Sequence, residues 1–329
     1  MSTASAETKP AVSFDDVLRA AGKICELARK TATGKSRLFN EAAGLRACFK
    51  CENFQRGGSF KIRGATNFLM SLSEQERKRG VVTFSSGNHA QAVAIAAAHF
   101  GIPATIVMPT DAPKAKLEST RAFGPKIVFH DRHRENREEI AQRIANENGA
   151  VLLPSYDHPW IIAGQGTAAL ELLSDHPNLD AIVVPLGGGG LLSGTLLAAK
   201  AIRSGIRVFG VEPELANDWY VSLDRGHRVE IPPPATIADG LRTPVPGKIT
   251  FPIVQSMVER VLLVSEAEIK AAMRFLLTRG KILVEPSGAV AAAAALHKKL
   301  PRDVQTAGII LSGGNVDLDV LAGICGEAA

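Results

Sequence analysis

The sequence predicts an α/β protein made of two doubly wound parallel-sheet lobes, and three observations carry that prediction. Short apolar runs alternate with helical patterns through most of the chain, which is how strands buried on both faces of a parallel sheet read. Several of these runs end directly in loops of Gly, Ser and Asn, placed beyond the carboxyl ends of strands, where such folds bind ligands. The chain has 329 residues, 46% of them hydrophobic, which is enough for a substantial core in two lobes. Residues 1–73 and 154–329 are expected to form the larger lobe, and 74–153 a smaller, mobile one with the ligand cleft between them.

Taken in order, Met1 to Val12 read as a short disordered tail without the apolar core of a signal peptide. Ser13-Phe14-Asp15-Asp16 is a capping box for a helix whose apolar positions are Val17, Leu18, Ala21, Ile24 and Ala28. Ala47 to Cys51 is a strand leading into Gly57-Gly58-Ser59-Phe60-Lys61-Ile62-Arg63-Gly64-Ala65, where Ser59 reads as the N-cap of a helix buried through Phe68, Leu69 and Leu72. Ser73 to Glu76 is a second capping box, opening a charged helix that stops at Gly80. Strands are then expected at Val81–Phe84, Ala104–Met108, Ile127–Phe129 and Val151–Leu153. The helices between and after them cover Asn88–Phe100, a segment starting near Pro113, Arg134–Asn148 and Pro159–Leu173. Further strands fall at Ala181–Pro185, Arg207–Val211, Arg260–Val264, Ile282–Val284 and Gly308–Leu311, with a helix capped at Ser265-Glu266-Ala267-Glu268.

Charge and cysteine usage narrow the function classes. The net charge of +5 comes from interspersed residues of both signs, which is weak evidence for nucleic acid and fits small anionic substrates at least as well. No run is long and apolar enough to span a membrane. Cys48 and Cys51 form a C-x-x-C without a second Cys or His pair nearby, and in a strand they face opposite sides. With Cys25 and Cys325 they read as free thiols of a cytoplasmic protein.

Four places carry chemistry. Lys61 sits in an apolar, glycine-flanked setting, where desolvation lowers an amine's pKa and supplies the neutral form that imine chemistry needs; a snorkelling lysine is the plain alternative. Ser85-Ser86-Gly87-Asn88-His89 joins a strand to a helix and is either an anion nest or an N-cap. Gly187-Gly188-Gly189-Gly190 follows a strand and lets the backbone approach a phosphate closely, with the next helix adding its dipole. It lacks the Lys-Ser/Thr of a P-loop and the third glycine of a dinucleotide fingerprint, so a single phosphate fits better than ATP or NAD. Ser312-Gly313-Gly314-Asn315-Val316-Asp317 is a turn whose first hydroxyl can meet one buried heteroatom.

These segments, with Ala163-Gly164-Gln165-Gly166-Thr167, closely resemble the fold type II (tryptophan synthase beta-like) pyridoxal-phosphate enzymes, specifically the threonine/serine dehydratase and serine racemase branch, which includes 3-hydroxyaspartate dehydratases. The resemblance runs from about Phe14 to the end with the motifs in the same order. It departs at Thr31-Ala32-Thr33-Gly34, where relatives usually have Thr-Pro. Sulfhydrylase relatives carry a different asparagine loop, and feedback control through a C-terminal regulatory domain after Ser312 is not expected.

The resemblance implies that Lys61 carries pyridoxal phosphate through its amine and acts as base at Cα, with Phe60 beside the ring and Asn88 on its 3′-oxygen. It implies that Gly187, Gly188, Gly189 and Gly190 hold the phosphate, that Ser312 meets the pyridine nitrogen, and that Gly240 and Glu285 line the pocket. A neutral Ser at that nitrogen damps full delocalisation and suits β-elimination. Ser85, Ser86, Gly87 and His89 surround the place of a small amino-acid substrate's carboxylate, and Ser155 borders its side-chain pocket. The implied reaction converts a β-hydroxy amino acid (serine, threonine or 3-hydroxyaspartate) to a 2-oxo acid and ammonia.

Ser86 matches a serine that racemases place opposite the lysine, so racemisation with elimination as a side reaction is the alternative; Ser86 as a carboxylate ligand or cap is the plainer one. Glu212, Asp218 and the Ala216 carbonyl resemble the family's Mg²⁺ or Ca²⁺ loop, against a solvated acidic turn. Among His130, Arg132, His133, Arg134 and Arg137, Arg137 is placed to meet a second substrate carboxylate, although a solvated helix start explains the same residues. A homodimer is implied by the resemblance alone, and a non-catalytic binding protein is the reading from another class.

Overall fold

The structure is a computed structural model that describes residues 11–326 apart from 113 and 133. The expected tail lies outside these residues except for Ala11 and Val12, as do Pro113, named as a helix start, and His133 of the basic cluster.

In chain order, α1 (Phe14–Ile24) opens with the reciprocal Ser13–Asp16 capping box that the sequence predicts. β1 (Thr33–Gly34), α2 (Arg37–Ala43), β2 (Arg46–Cys51) and α3 (Lys61–Ser71) follow, then α4 (Glu74–Arg79) behind its own box of Ser73 and Glu76. The chain then alternates through β3 (Val81–Phe84), α5 (Asn88–Phe100), β4 (Ala104–Pro109), α6 (Lys114–Arg121), β5 (Lys126–His130), α7 (Arg137–Asn148), β6 (Val151–Leu152) and α8 (Pro159–Asp175). β7 (Ala181–Pro185), α9 (Gly190–Ile202), β8 (Arg207–Pro213), α10 (Asp218–Arg225), α11 (Thr250–Met257) and β9 (Arg260–Val264) come next. α12 (Glu266–Phe275), α13 (Pro286–Leu296), β10 (Thr306–Leu311) and α14 (Leu318–Gly326) complete the fold.

A six-stranded sheet runs β1-β2-β10-β7-β8-β9, parallel except where β1 meets β2. A four-stranded, all-parallel sheet runs β5-β4-β3-β6. Because β10 pairs with β2 from Arg46 to Cys51, the larger sheet joins the two ends of the chain, and the smaller is drawn from the segment between. Alternate residues of the central strands feed opposite cores. Ala181 and Val183 pack with α12 and α13, whereas Ile182 and Val184 pack with α8 and α9. Cys51 and Cys48 divide the same way, and all four cysteines are free thiols. β3, β7 and β10 therefore deliver the three loops beginning at Ser85, Leu186 and Ser312 from their carboxyl ends.

Four local expectations are corrected. Ile282–Val284 is not a strand: the chain leaves α12 through a π-turn at Leu276–Gly280, and Lys281 adopts the left-handed region at φ 59°. The Leu283 carbonyl is taken by the Asn53 Nδ2 instead of a neighbouring strand. α7 begins at Arg137 rather than Arg134 because the Asn136 side chain accepts from the Glu138 and Glu139 amides and fixes the start there. α1 ends at Ile24, short of Ala28, and Leu18 is exposed; its buried face is Val17, Ala20 and Ile24. Ser59 does not cap α3, because it pairs with Gly313 as an isolated bridge and Phe60 takes the cap position. The sequence reading also passed over α13, whose alanines are buried all round and so show no periodic contrast. Among the described residues no helix is long and apolar enough to cross a membrane.

Candidate active site

The site starts with where α3 begins. Gly57 and Gly58 are left-handed, and a Cβ on Gly58 would collide with Asn315, so only glycine lets the chain turn here against the third loop. The Phe60 amide then donates to the Ser312 carbonyl at 3.1 Å, which brings the first residue of α3, Lys61, beside the end of β10. The Lys61 amine is buried, donates to the Ser155 carbonyl at 2.8 Å and lies 5.2 Å from the Phe60 ring centroid. Burial lowers its pKa to about 8, with the charge of Glu285 partly opposing.

Asn88 and Glu285 close the same space from another side. The Asn88 Nδ2 donates to Glu285 Oε1 at 2.6 Å, and its Oδ1 accepts from Asn315 Nδ2 at 2.9 Å. Asn315 also donates to the Gly57 carbonyl and to Gln91, so one amide ties the lysine loop, the start of α5 and the third loop together. Burial and the nearby Asp239 raise Glu285 to about 8. Ser312 is buried, with its hydroxyl 3.4 Å from the Ser287 carbonyl, and Ser287 in turn accepts from the Gly240 amide. His89 is buried, and desolvation together with the Lys61 charge pushes it down to about 3, so it is neutral across the physiological range. Ser85, Ser86 and Gly87 are half-buried in the turn after β3, where the Ser85 hydroxyl accepts from the Gly87 amide.

The glycine loop is a cradle with no room for side chains. A Cβ on Gly188 would run into the Tyr156 ring and one on Gly189, at φ 90°, into Trp219; on Gly187 and Gly190 it would press on Leu241 and Tyr156 at 3.1 and 3.0 Å. The Trp219 indole donates to the Gly187 carbonyl and the Thr250 hydroxyl to that of Gly188. With the carbonyls held from outside, no hydrogen bond among the described residues engages the amides of Gly188, Gly189 or Gly190. Free amides at a helix start, a desolvated lysine amine and a buried hydroxyl are the donor set that pyridoxal phosphate requires, so the residues present fit that group.

One family model, described as "Pyridoxal-phosphate dependent enzyme", matches residues 24–313. The chain belongs to that family. It is 49% identical over 312 residues to an L-threo-3-hydroxyaspartate ammonia-lyase of a Pseudomonas species, covering 95% of this chain and 98% of that one. It is 47% identical over 306 residues to a serine racemase of Schizosaccharomyces pombe, covering 93% and 95%. Among solved structures it is similar to maize serine racemase with a TM-score of 0.92 at 42% identity, over 95% of this chain and 96% of that one. The two lobes and their sheets are those of the family's fold.

The basic cluster comes apart in three dimensions. Arg132 pairs with Asp111 at 2.8 Å, Arg134 lies 3.8 Å from Asp131, and His130 is buried at the end of β5. Arg137 instead lies over the Phe84 ring at 5.5 Å, immediately before the Ser85 turn. The acidic loop behaves differently. Glu212 at the end of β8 accepts from the Trp219 and Tyr220 amides, while neither oxygen of the buried Asp218 meets a donor. Burial raises both carboxyls, Asp218 to about 7, and for Glu212 the charge of Asp218 adds to the effect. Ala216 is buried between them in sequence. Among the described residues no three His, Cys, Asp or Glu side chains converge, so a cation here would need carbonyl and water oxygens as well, which a hard divalent ion accepts.

Three features escaped the sequence reading: the buried charges around Arg63, the Trp219 and Thr250 supports of the glycine loop, and the Lys116–Asp239 ion pair joining α6 to the turn at Gly240. Only Arg63 left a signal, as a charged residue in a segment otherwise read as buried.

Proposed function

We propose that this chain is a pyridoxal-phosphate-dependent ammonia-lyase that dehydrates and deaminates L-threo-3-hydroxyaspartate. The observation that carries it is the convergence of the desolvated Lys61 amine with Asn88, Glu285, Ser312 and the free amides of the glycine loop. The cofactor, when bound, supplies an electron sink for the carbanion formed at Cα. Gly187 to Gly190 hold its phosphate, Phe60 and Asn88 its ring, and Ser312 its ring nitrogen, with Gly240 and Glu285 fixing those neighbours.

Burial lowers the Lys61 amine toward its neutral form, the form a base requires; once free of the cofactor, its Nζ takes the Cα proton. Ser85, Ser86, Gly87 and neutral His89 bind the substrate α-carboxylate through hydroxyl and amide groups. Arg137 receives the second carboxylate, and Ser155, whose carbonyl holds Nζ, sets the floor of the side-chain pocket. The Cα–Cβ double bond forms as the Cβ–O bond breaks, the β-hydroxyl leaves as water with the proton that Nζ took from Cα, and addition of one water to the resulting enamine gives the 2-oxo acid and ammonia. Residues 74–153 close over the substrate and exclude water until elimination is complete; the Lys116–Asp239 pair across the cleft supports this.

A divalent cation, Mg²⁺ or Ca²⁺, on Glu212, Asp218 and the Ala216 carbonyl is part of the proposal, supported by the orphaned Asp218 oxygens. The chain works as a cytoplasmic homodimer, whose interface would cover exposed apolar side chains such as Phe54, Leu283 and Leu318.

A second reading, amino-acid racemisation, rests on Ser86, half-buried in the turn after β3, and on the similarity to serine racemases. NMR in D₂O of the loaded enzyme with L-threo-3-hydroxyaspartate, L-serine and L-threonine separates the two. Oxo acid formed fastest from hydroxyaspartate supports the lyase. Cα-deuterated D-amino acid outpacing oxo acid, and lost in Ser86→Ala, makes it a racemase. Neither product with cofactor bound refutes both.

A further inference from the structure

We propose that Arg63 is the positioning residue for the Lys61 amine: its guanidinium, gripped by Glu52 and Glu171, fixes the rotation of α3 so that Nζ stays in the cofactor site. The inference rests on Lys61 having the role given above. Arg63 is fully buried. Its Nε and Nη2 donate to Glu52 Oε2 and Oε1 at 2.7 and 2.8 Å, and its Nη1 and Nη2 to Glu171 Oε1 and Oε2, both at 2.7 Å. The two carboxylates come from the turn after β2 and from α8, and each is braced in turn. Thr31 Oγ1 donates to Glu52 at 2.6 Å, while Lys50 Nζ reaches Glu171 at 2.6 Å and the Thr31 carbonyl at 2.8 Å. Thr31 belongs to the segment that departs from the family's Thr-Pro, and here it is locked into the cluster.

Three observations turn this cluster from a buried ion group into a positioning device. First, such groups add little net stability over an apolar replacement, so their use lies in direction, and a planar fork bonded on both edges accepts one orientation. Second, among the described residues the start of α3 has few other side-chain fixtures: the Gly64 amide meets Gln165 Oε1 at 3.3 Å, Asn67 Nδ2 reaches the Trp160 carbonyl further along the helix, Phe60 supplies no cap bond, and the buried Ser59 hydroxyl has no partner. Third, α3 and α8 cross so closely that a Cβ on Gly164 would stand 2.7 Å from the Gly64 Cα. A smooth glycine crossing fixes how far apart two helices lie but leaves them free to roll. Arg63, bonded to Thr167 and Glu171 of α8, stops the roll. Two residues apart on a helix point about 200° from each other, so a clamp at Arg63 steers the amine from the far side of the axis.

The test uses Arg63→Lys, which keeps the charge and loses the fork, and Glu171→Gln, which loosens one edge at a side chain that is 20% exposed. Full-length protein without cofactor is reductively methylated with ¹³C, the Lys61 resonance is assigned by its loss in Lys61→Arg, and its titration is followed by NMR. In the wild type the midpoint should fall near 8, where burial places it. In both variants it should climb toward the ordinary lysine value of about 10.4, with circular dichroism unchanged. In the loaded enzymes kcat should fall by about 10²-fold, the scale of an ångström of misplacement, while KM holds. A folded variant with an unmoved Lys61 midpoint and wild-type kcat overturns the inference; if Arg63→Lys does not fold, Glu171→Gln decides by the same readings. A wild type that binds cofactor yet forms no product refutes the functional reading alone, because the cofactor-free titration still judges the clamp.

Discussion

Stripping divalent cations should make the protein less stable as pH rises, because nothing then neutralises Asp218. Its oxygens meet no donor, and burial holds its pKa near 7 against an ordinary 3.8. The folded state therefore binds this proton more tightly than the unfolded state. Below about pH 4 both states are protonated and there is no penalty; between there and about pH 7 the unfolded state loses its proton first and stability drops, levelling off above. Roughly three pH units at about 1.36 kcal/mol each amount to about 4 kcal/mol. Glu212 shifts in the same direction. With an unfolding entropy of about 2.1 cal/mol/K per residue, that is about 6 °C in Tm for a chain of this length.

Calorimetry with chelator across this range, then with excess Mg²⁺ or Ca²⁺, is the assay. The cation should restore Tm at about pH 8 and do little near pH 4, where it must displace protons. Asp218→Asn should flatten the pH dependence and remove the response to cation. A chelated wild type whose profile matches that of D218N, or a D218N protein that still gains from Mg²⁺, would refute the reasoning.

Cofactor uptake by the stripped protein should accelerate about tenfold per pH unit up to about pH 8 and then level off, because a lysine with a lowered pKa attacks only once neutral; stopped-flow absorbance gives the profile, and a flat one argues against a buried Lys61 amine. Gly188→Ala should weaken cofactor binding by about 100-fold in equilibrium dialysis, since the new methyl displaces the loop from Tyr156 and with it the phosphate's charge-assisted hydrogen bonds. Arg137→Ala should raise KM for L-threo-3-hydroxyaspartate by roughly 10- to 100-fold while leaving that for L-serine nearly unchanged; equal effects on both would remove Arg137 from the second-carboxylate role.

Much of the framework was legible because it is written locally. Capping boxes at Ser13, Ser73 and Ser265 open helices where the sequence places them, and the three ligand loops follow β3, β7 and β10. What stayed hidden depends on partners far away in the chain. Arg63 meets Glu171 across 108 positions, and no local pattern distinguishes a glutamate aimed inward from a solvated one. The basic cluster shows the converse: side chains adjacent in sequence separated once strand ends and local acids claimed Arg132 and Arg134. Ile282–Val284 misled because an apolar triplet satisfies a strand and the approach to a buried helix equally well.

The place of β10 between β2 and β7 has a consequence for how the protein matures. Strands β3 to β6 are contiguous in sequence and can assemble as soon as they emerge from the ribosome, whereas the larger sheet has a gap at its middle until residues 306–311 are made. Until then β2 and β7 each present an open edge, the form most prone to pairing with a neighbouring chain. The Phe60–Ser312 bond and the Ser59–Gly313 bridge can form only when that strand slots in. Lys61 is thus seated only once β10 is in place, so competence to capture the cofactor arrives with completion of the larger sheet.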